Sequence, residues 1–217
     1  MLKFLEAKWF DIGLVISFVI IKGILLHLNK MSNASLALWM GFAALLLHHA
    51  EEYHWPGNFS QWINKLFYKG RQEVNTPVQL HYSFIINVGV EWSSFLLAAF
   101  LVDRAWWLGI AVMLFCLGNF FKHAIYYTIR SGTWYNPGMI SSIIFLLPVS
   151  LYFFWSVLHD PDIAIWNYCI GIPLGIFFSR VSSVQLIEWI RGTKELLTVN
   201  NPKQKVSVQK LDIGSRG

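Results

Sequence analysis

The feature that most constrains this chain is its series of long apolar stretches. A helix needs roughly 20 mostly apolar residues to cross a bilayer core about 30 Å thick. Inside that core every backbone polar group must be satisfied within the chain, which helices achieve. We therefore predict an all-α membrane helical bundle. Its six predicted spans are approximately Trp9–Leu28, Ala34–Tyr53, Val78–Val102, Ala105–Ile129, Met139–Leu158 and Ile163–Val184.

The composition excludes several other classes of protein. Hydrophobic residues make up 55% of the 217 residues and charged residues only 13%, whereas typical soluble domains carry about 25% charged residues. A soluble domain of this size has too much surface to cover with so few charges. This excludes a soluble enzyme, a disordered chain and a disulfide-stapled secreted module. The two cysteines lie inside apolar stretches and form no metal-binding pair.

The net charge of +5 follows from the placement of Lys and Arg. Most of them lie in the N-terminal segment, in the second and fourth loops and after the sixth predicted span. Cytoplasmic loops of membrane proteins are enriched in these residues, so we predict that the N- and C-termini are both cytoplasmic. No nucleic-acid partner is predicted. Residues 1–197 are expected to form a single transmembrane domain and residues 198–217 a polar cytoplasmic tail.

The second loop contains a predicted short amphipathic helix. Phe59, Trp62, Ile63, Leu66 and Phe67 recur with the helical period, while polar residues occupy the opposite face. A helix of this kind lies on a membrane surface. The alternative is a loop helix that packs on its own bundle, and both alternatives are open at the level of sequence.

Polar and ionisable side chains interrupt three of the predicted spans. A charged side chain near the bilayer centre costs roughly 2.5–3.5 kcal/mol on insertion scales, so such residues are typically paired or functional. Each residue of an α-helix is rotated by about 100° about the helix axis relative to the one before it. With this rotation, the polar residues within each span lie on one face of the helix. They are His48, Glu51 and Glu52 in the second span, Asn87 and Glu91 in the third, and Asn119, His123 and Tyr127 in the fourth.

These residues fall at similar depths although neighbouring spans run in opposite directions. We therefore predict one polar chamber that opens to the cytoplasm. His49 and His81 point away from the shared faces and are expected outside its centre. At about 1.5 Å per residue, the depths from the cytoplasmic side are roughly 8 Å for His48, 10 Å for His123, 15 Å for Asn87 and Asn119, and 20 Å for Glu91.

The chamber has the side chains of a metal centre. Histidines and carboxylates from several helices suit Zn²⁺, Fe²⁺ or Mn²⁺. We predict that a divalent metal ion is bound by His48, Glu52, Glu91 and His123. An open coordination position would hold water, whose pKa the metal lowers toward ~7.

Further residues of the chamber are assigned catalytic roles. Glu51 or Glu52 is predicted to act as general base. Asn87 or Asn119 would polarise a carbonyl or phosphoryl oxygen. Tyr127 continues the polar stripe of the fourth span and completes the predicted catalytic set.

The depth of the chamber favours a substrate that sits in the membrane. An opening near the lipid headgroups suits a membrane lipid or another amphipathic, lipid-like molecule. The first hypothesis is accordingly a metal-dependent membrane enzyme, most simply a hydrolase. The alternatives are a proton- or cation-coupled carrier or an accessory membrane protein. A di-iron-type oxidative membrane enzyme, which uses the same kinds of ligand, is a further alternative.

Short motifs connect these residues to a known family. His48 to Glu52 reads H-x-x-E-E, Asn87 to Glu91 reads N-x-x-x-E, and a later His123 precedes Pro137-Gly138 and Ser141. This ordered set resembles the HXXEE-motif family of small bacterial integral membrane proteins over about residues 35–145. Ser141 stands where Thr is more frequent in that family. The family has no established activity, so the resemblance implies which residues matter and a bacterial cytoplasmic membrane as the location.

Overall fold

The computed structural model describes residues 2–68 and 82–181, and every regular element in those ranges is helical. This confirms the predicted all-α class. The predicted tail 198–217, His81 and the distal end of the sixth predicted span lie outside the described residues. The helices are α1 (Leu2–His27), α2 (Asn33–Tyr53), α3 (Phe59–Tyr68), α4 (Tyr82–Phe100), α5 (Trp106–Ser131), α6 (Met139–Leu158) and α7 (Trp166–Val181).

Four helices in the described ranges are long and apolar enough to span a membrane: α1, α4, α5 and α6. The predicted count of six spans is therefore not confirmed. Helix α2 is 21 residues long, but its last turns carry two histidines and two glutamates, which lower its hydropathy. The described part of α7 has 16 residues, fewer than the roughly 20 that a span needs.

Apolar side chains cover the outside of the helices, and polar side chains lie inside. Phe18 and Leu25 of α1, Phe100 of α4 and Leu151 of α6 are exposed. The buried polar residues include His48, His49, Glu52, Asn87, Glu91, Asn119, His123, Asn136 and Ser141. Charged and strongly polar residues are rarely buried in soluble domains unless they are paired. The distribution is typical of helices that face lipid and enclose a polar site.

Helix α2 is the centre of the packing, in contact with α1, α4, α5 and α6. Phe42 of α2, Phe95 of α4 and Phe153 of α6 are buried in the shared core. Helix α7 approaches α5 through glycines. A Cβ atom added at Gly171 would lie 2.6 Å from the backbone oxygen of Trp107. Small residues at such a contact let two helix backbones come close together.

Three helices contain a π-helical segment with widened turns: Ile85–Trp92 in α4, Phe121–Tyr127 in α5 and Ser142–Leu146 in α6. Such segments often occur at functional sites. The first two contain four of the predicted site residues. A π-helical turn contains more residues than an α-helical turn. The α-helical rotation of about 100° per residue therefore does not describe which side chains share a face in these segments.

The predicted amphipathic helix is present as α3, and its aromatic side chains contact Tyr127 of α5. The ring centroids of Phe59, Trp62 and Phe67 lie 6.3, 5.5 and 6.2 Å from that of Tyr127. Of the two arrangements left open by the sequence, the structure therefore shows packing against the bundle. This packing places α3 beside His123, whose ring is 5.4 Å from that of Phe59.

Candidate metal centre

Two helices bring His48, Glu52 and His123 together. His48 and Glu52 lie one turn apart on α2, and His123 comes from the π-helical segment of α5. Glu52 Oε1 lies 3.7 Å from His48 Nε2 and 3.3 Å from His123 Nε2. All three residues are buried, and one ligand atom of each lies within 4.8 Å of the others. This arrangement can hold one metal ion.

Hydrogen bonds on the far side of His48 orient its ring. Nδ1 lies 2.9 Å from Ser141 Oγ. The Ser141 hydroxyl has one proton and donates it to Glu51, so its oxygen is the acceptor toward His48. The His48 proton therefore lies on Nδ1, and the lone pair of Nε2 points toward Glu52.

A separate set of bonds orients His123 in the same way. Its Nδ1 lies 2.9 Å from Asn136 Oδ1. The Asn136 amide nitrogen donates to His123 O at 2.8 Å and to Thr128 Oγ1 at 3.3 Å, which leaves Oδ1 as the acceptor. His123 Nδ1 is thus the donor to Asn136, and both imidazoles turn Nε2 toward one carboxylate. Ligating histidines in metal sites are commonly anchored through their second ring nitrogen in this manner.

The donor set fits a divalent transition metal. Two imidazoles and one carboxylate form the protein ligands of some catalytic zinc sites and of non-haem iron sites with open positions. In the described part of the chain, these two imidazoles are the basic groups within 4 Å of the Glu52 carboxylate. Metal ligation would require both histidines to be unprotonated.

Glu51 lies next to Glu52 but has a different environment. Its carboxylate accepts hydrogen bonds from Tyr135 Oη and Ile140 N at 3.1 Å each, and from Ser141 N at 2.7 Å and Ser141 Oγ at 2.5 Å. Ile140 and Ser141 belong to the first turn of α6, whose N–H groups have no partner within the helix. A carboxylate there also interacts favourably with the helix dipole. Glu51 thus caps α6 from a neighbouring helix.

Tyr135 stays protonated in this arrangement. Partial burial, the nearby charge of Glu51 and the hydrogen bond between them raise the pKa of the Tyr135 phenol. It therefore remains a donor to Glu51 at any physiological pH. The sequence predicts Glu51 as a possible general base, and this role stays a prediction. In the structure its oxygens accept hydrogen bonds from the loop and from the start of α6.

Gly138 lies against both imidazoles. Its φ of +95° is in the left-handed region, which favours glycine. A Cβ atom at this position would lie 2.6 Å from His123 Cε1 and 2.7 Å from His48 Cε1. The backbone of this loop therefore contacts both rings directly, and a side chain would have to displace them.

A second group of buried polar residues lies beside His48, Glu52 and His123. Trp92 Nε1 donates to His49 Nδ1 at 3.1 Å, so the His49 proton is on Nε2, which donates to Glu91 Oε2 at 3.1 Å. Glu91, predicted among the metal ligands, is thus placed against His49. The side chain of Asn87 lies near the hydroxyl of Tyr53.

The remaining predicted residues are also buried. Asn119 lies on α5, one turn before His123. The ring of Tyr127 lies 5.1 Å from that of His123 in an edge-on arrangement. The structure thus gathers His48, Glu52, His123 and Tyr127, and connects Glu51 to them through Ser141.

Lys122 is a neighbour of this region that the sequence-based reasoning missed. Its ammonium group interacts electrostatically with the carboxylates of Glu91 and Glu52, and it lies 5.5 Å from the ring centroid of Phe115. A lysine inside an apolar run and directly before His123 was the available signal. Its positive charge offsets part of the negative charge buried nearby.

Replacing Glu51 with glutamine tests its capping role. The amide nitrogen of glutamine cannot accept the bonds from Ser141, so we expect a loss of about 1–3 kcal/mol in unfolding free energy. Because Ser141 also orients His48, metal affinity should fall by about 10–100-fold. Denaturant unfolding and metal titration in detergent measure both effects. Asp103→Asn in the exposed turn after α4 is the control, and an equal effect of the two variants would contradict the cap.

The fold and the site together define a class: an all-helical protein with helices of membrane-spanning length and a buried His–Glu–His group. Residues 39–153 match the family model described as "Protein of unknown function with HXXEE motif". The match covers more than half of the chain, and the protein belongs to this family, as its motifs indicated. Comparison with curated proteins and with solved structures gives no match.

Proposed function

We propose that this protein is an integral membrane metal-dependent enzyme, most simply a hydrolase that acts on a lipid or another amphipathic membrane substrate. One observation carries the proposal. Separate hydrogen bonds at Nδ1 orient the rings of His48 and His123, and both Nε2 atoms face Glu52. A cluster that served only helix packing would not require both Nε2 atoms to converge on one carboxylate.

The chain's own residues would prepare the site for such chemistry. A bound divalent ion acts as a Lewis acid and lowers the pKa of water toward ~7. Ser141 and Asn136 orient the rings of the two histidines. Phe59 and Tyr127 pack on His123 and exclude bulk water from that side. Lys122 compensates the charge of Glu52.

The proposal includes the membrane arrangement. We infer six spans with both termini cytoplasmic, in the bacterial cytoplasmic membrane, which places the site in the cytoplasmic leaflet. Four helices of spanning length and their exposed apolar side chains support this. A site at this depth would meet the ester or phosphate region of a lipid.

A test of this function uses proteoliposomes that contain the full chain and a fluorescent phospholipid. We expect turnover that disappears with chelator, returns with one divalent metal and is absent in His123→Ala. His27→Ala, which changes an exposed histidine of α1, should behave as wild type. Equal turnover by chelated wild type, or by His123→Ala, would contradict a metal-dependent reaction.

The same donor set supports an iron-dependent oxidative enzyme as a second candidate. Two histidines and one carboxylate with open positions are characteristic of non-haem Fe(II) enzymes. Recovery of activity with Zn²⁺ under anaerobic conditions would favour the hydrolase. Oxygen consumption that requires Fe²⁺ and is lost in Glu52→Gln would favour the oxidative enzyme.

A further inference from the structure

Two elements cover the candidate metal centre. The first is the loop before α6, whose Gly138 lies against both imidazoles. The second is helix α3, whose Phe59 ring is 5.4 Å from the ring of His123. His48, Glu52 and His123 are only 1%, 5% and 2% exposed. Entry of a metal ion or a substrate therefore requires part of this cover to move.

Directional hydrogen bonds fix the loop before α6. Asn136 bonds both the ring and the backbone carbonyl of His123. Ser141, in the first turn of α6, bonds both Glu51 and His48. Movement of this loop would break those bonds and disturb the orientation of both histidines. The loop therefore cannot open the site and keep the ligands in position.

Hydrophobic contacts hold α3 instead. Four of the five side chains on its apolar face carry no polar atom: Phe59, Ile63, Leu66 and Phe67. This face packs on Tyr127, and Arg130 lies 4.8 Å from the centroid of the Phe67 ring. Hydrophobic burial has no required direction, so another apolar environment can take the place of the bundle.

The membrane surface is such an environment. Gln61 and Lys65, on the opposite face of α3, are exposed. Trp55 in the turn before α3 and Trp134 in the loop before α6 are 78% and 85% exposed, and tryptophan is enriched where a membrane meets water. An amphipathic helix with a cationic polar face binds among the headgroups of anionic lipids.

The residues that join α2 to α3 are suited to a hinge. Gly57 and Asn58 directly precede α3 and have φ angles of +70° and +66°. Glycine adopts both signs of φ freely, and asparagine is enriched among the other residues found at positive φ. A change of backbone angles at these two residues would move α3 while α2 keeps its ligands in place.

We propose that α3 is a lid that opens onto the surface of an anionic bilayer. In the closed state its apolar face packs on Tyr127 and His123, as in this structure. In the open state the same face lies among the lipid headgroups, and His123 is uncovered. The proposal rests on the proposed function and deepens it, since the membrane that contains the substrate also opens the site.

Distances between two spin labels in proteoliposomes test the movement of α3. The labels are attached to Gln61→Cys on α3 and to Ile129→Cys on the exposed surface of α5. The background is Cys169→Ser, because Cys169 is exposed whereas Cys116 is buried. We expect a short distance to predominate in phosphatidylcholine vesicles. Phosphatidylglycerol vesicles should add a second, longer distance, whose share is the open fraction.

Two variants should shift this equilibrium in opposite directions. Arg130→Gln removes a cation–π contact that belongs to the closed state and should raise the ratio of open to closed protein about 2–5-fold. Lys65→Gln removes a charge that anionic headgroups attract in the open state and should lower this ratio about 5-fold. Arg104→Gln, in the exposed turn before α5, is the control and should leave the ratio unchanged.

Chemical modification of histidines tests whether the lid covers the site. In metal-free protein, the rate at which diethyl pyrocarbonate modifies His123 should rise and fall with the open fraction. The exposed His27 should react equally in every sample. Neither measurement needs bound metal or turnover, so a failure of the proposed function is distinguishable from a failure of the lid. An open fraction that neither lipid nor variant changes, or a His123 rate independent of the open fraction, would overturn the proposal.

Discussion

His123→Ala is expected to reduce the divalent metal bound by the purified protein from about one equivalent to background. The substitution removes one of three ligand side chains and leaves Glu52 with a single imidazole partner. We expect an affinity loss larger than the 10–100-fold that is typical for residues that only orient a ligand. Elemental analysis and competition titration with a chromophoric chelator measure this loss.

The metal affinities of further variants distinguish a residue that binds the metal from one that only orients a ligand. Asn136→Ala frees His123 Nδ1 but keeps the ligand, so it should lose about 10–100-fold in affinity. His27→Ala should lose none. Wild-type affinity should fall as the pH is lowered, because bound histidines must be unprotonated. A wild type that retains no metal at neutral pH after loading with Zn²⁺, Fe²⁺ or Mn²⁺ would refute the metal centre.

Gly138→Ala is expected to produce the second large effect. The new methyl group would lie 2.7 Å from His48 Cε1 and 2.6 Å from His123 Cε1 and would clash with both rings. Overpacking of this kind typically costs about 1–3 kcal/mol. The left-handed backbone adds about 1–2 kcal/mol of strain for a residue other than glycine. Because relief of the clash moves the rings apart, metal affinity should fall together with stability.

Gly132→Ala is the matched control for this effect. Gly132 also has a left-handed φ, of +66°, but nothing lies within 4 Å of its added Cβ. It therefore reports the backbone strain alone. Gly138→Ala should lower the unfolding free energy by about 1–3 kcal/mol more than Gly132→Ala does. Of the two variants, only Gly138→Ala should weaken metal binding. Equal destabilisation of the two variants, with metal binding intact in both, would show that the loop does not hold the rings in position.

Much of the candidate metal-binding group was predictable because it depends on local geometry and on depth. His48 and Glu52 are four residues apart, and that spacing places them on one face of any α-helix. His123 was matched to them by its depth in a helix that runs in the opposite direction. The three residues do converge. Glu91 has a similar sequence context, yet it lies against His49, because rotation about each helix axis depends on packing and on the π-helical segment of α4.

The two adjacent glutamates also differ in a way that packing determines and local sequence does not. Glu51 and Glu52 are adjacent in sequence and equally acidic, but one caps α6 and the other faces two imidazoles. This difference arises only when the loop before α6 folds back over α2. Hydrogen-bond partners 84 to 90 residues away in the chain are not encoded in any local pattern.

Sequence by itself therefore determined the helical class, the family and the identity of the three converging side chains. Apolar runs and helical spacing are short-range properties, and each is readable from neighbouring residues. The tertiary structure decided the hydrogen-bond partners of both histidines, the capping role of Glu51 and the close approach of Gly138. Those features depend on contacts between distant segments, and directional hydrogen bonds form only after packing has set the distance and rotation of each helix.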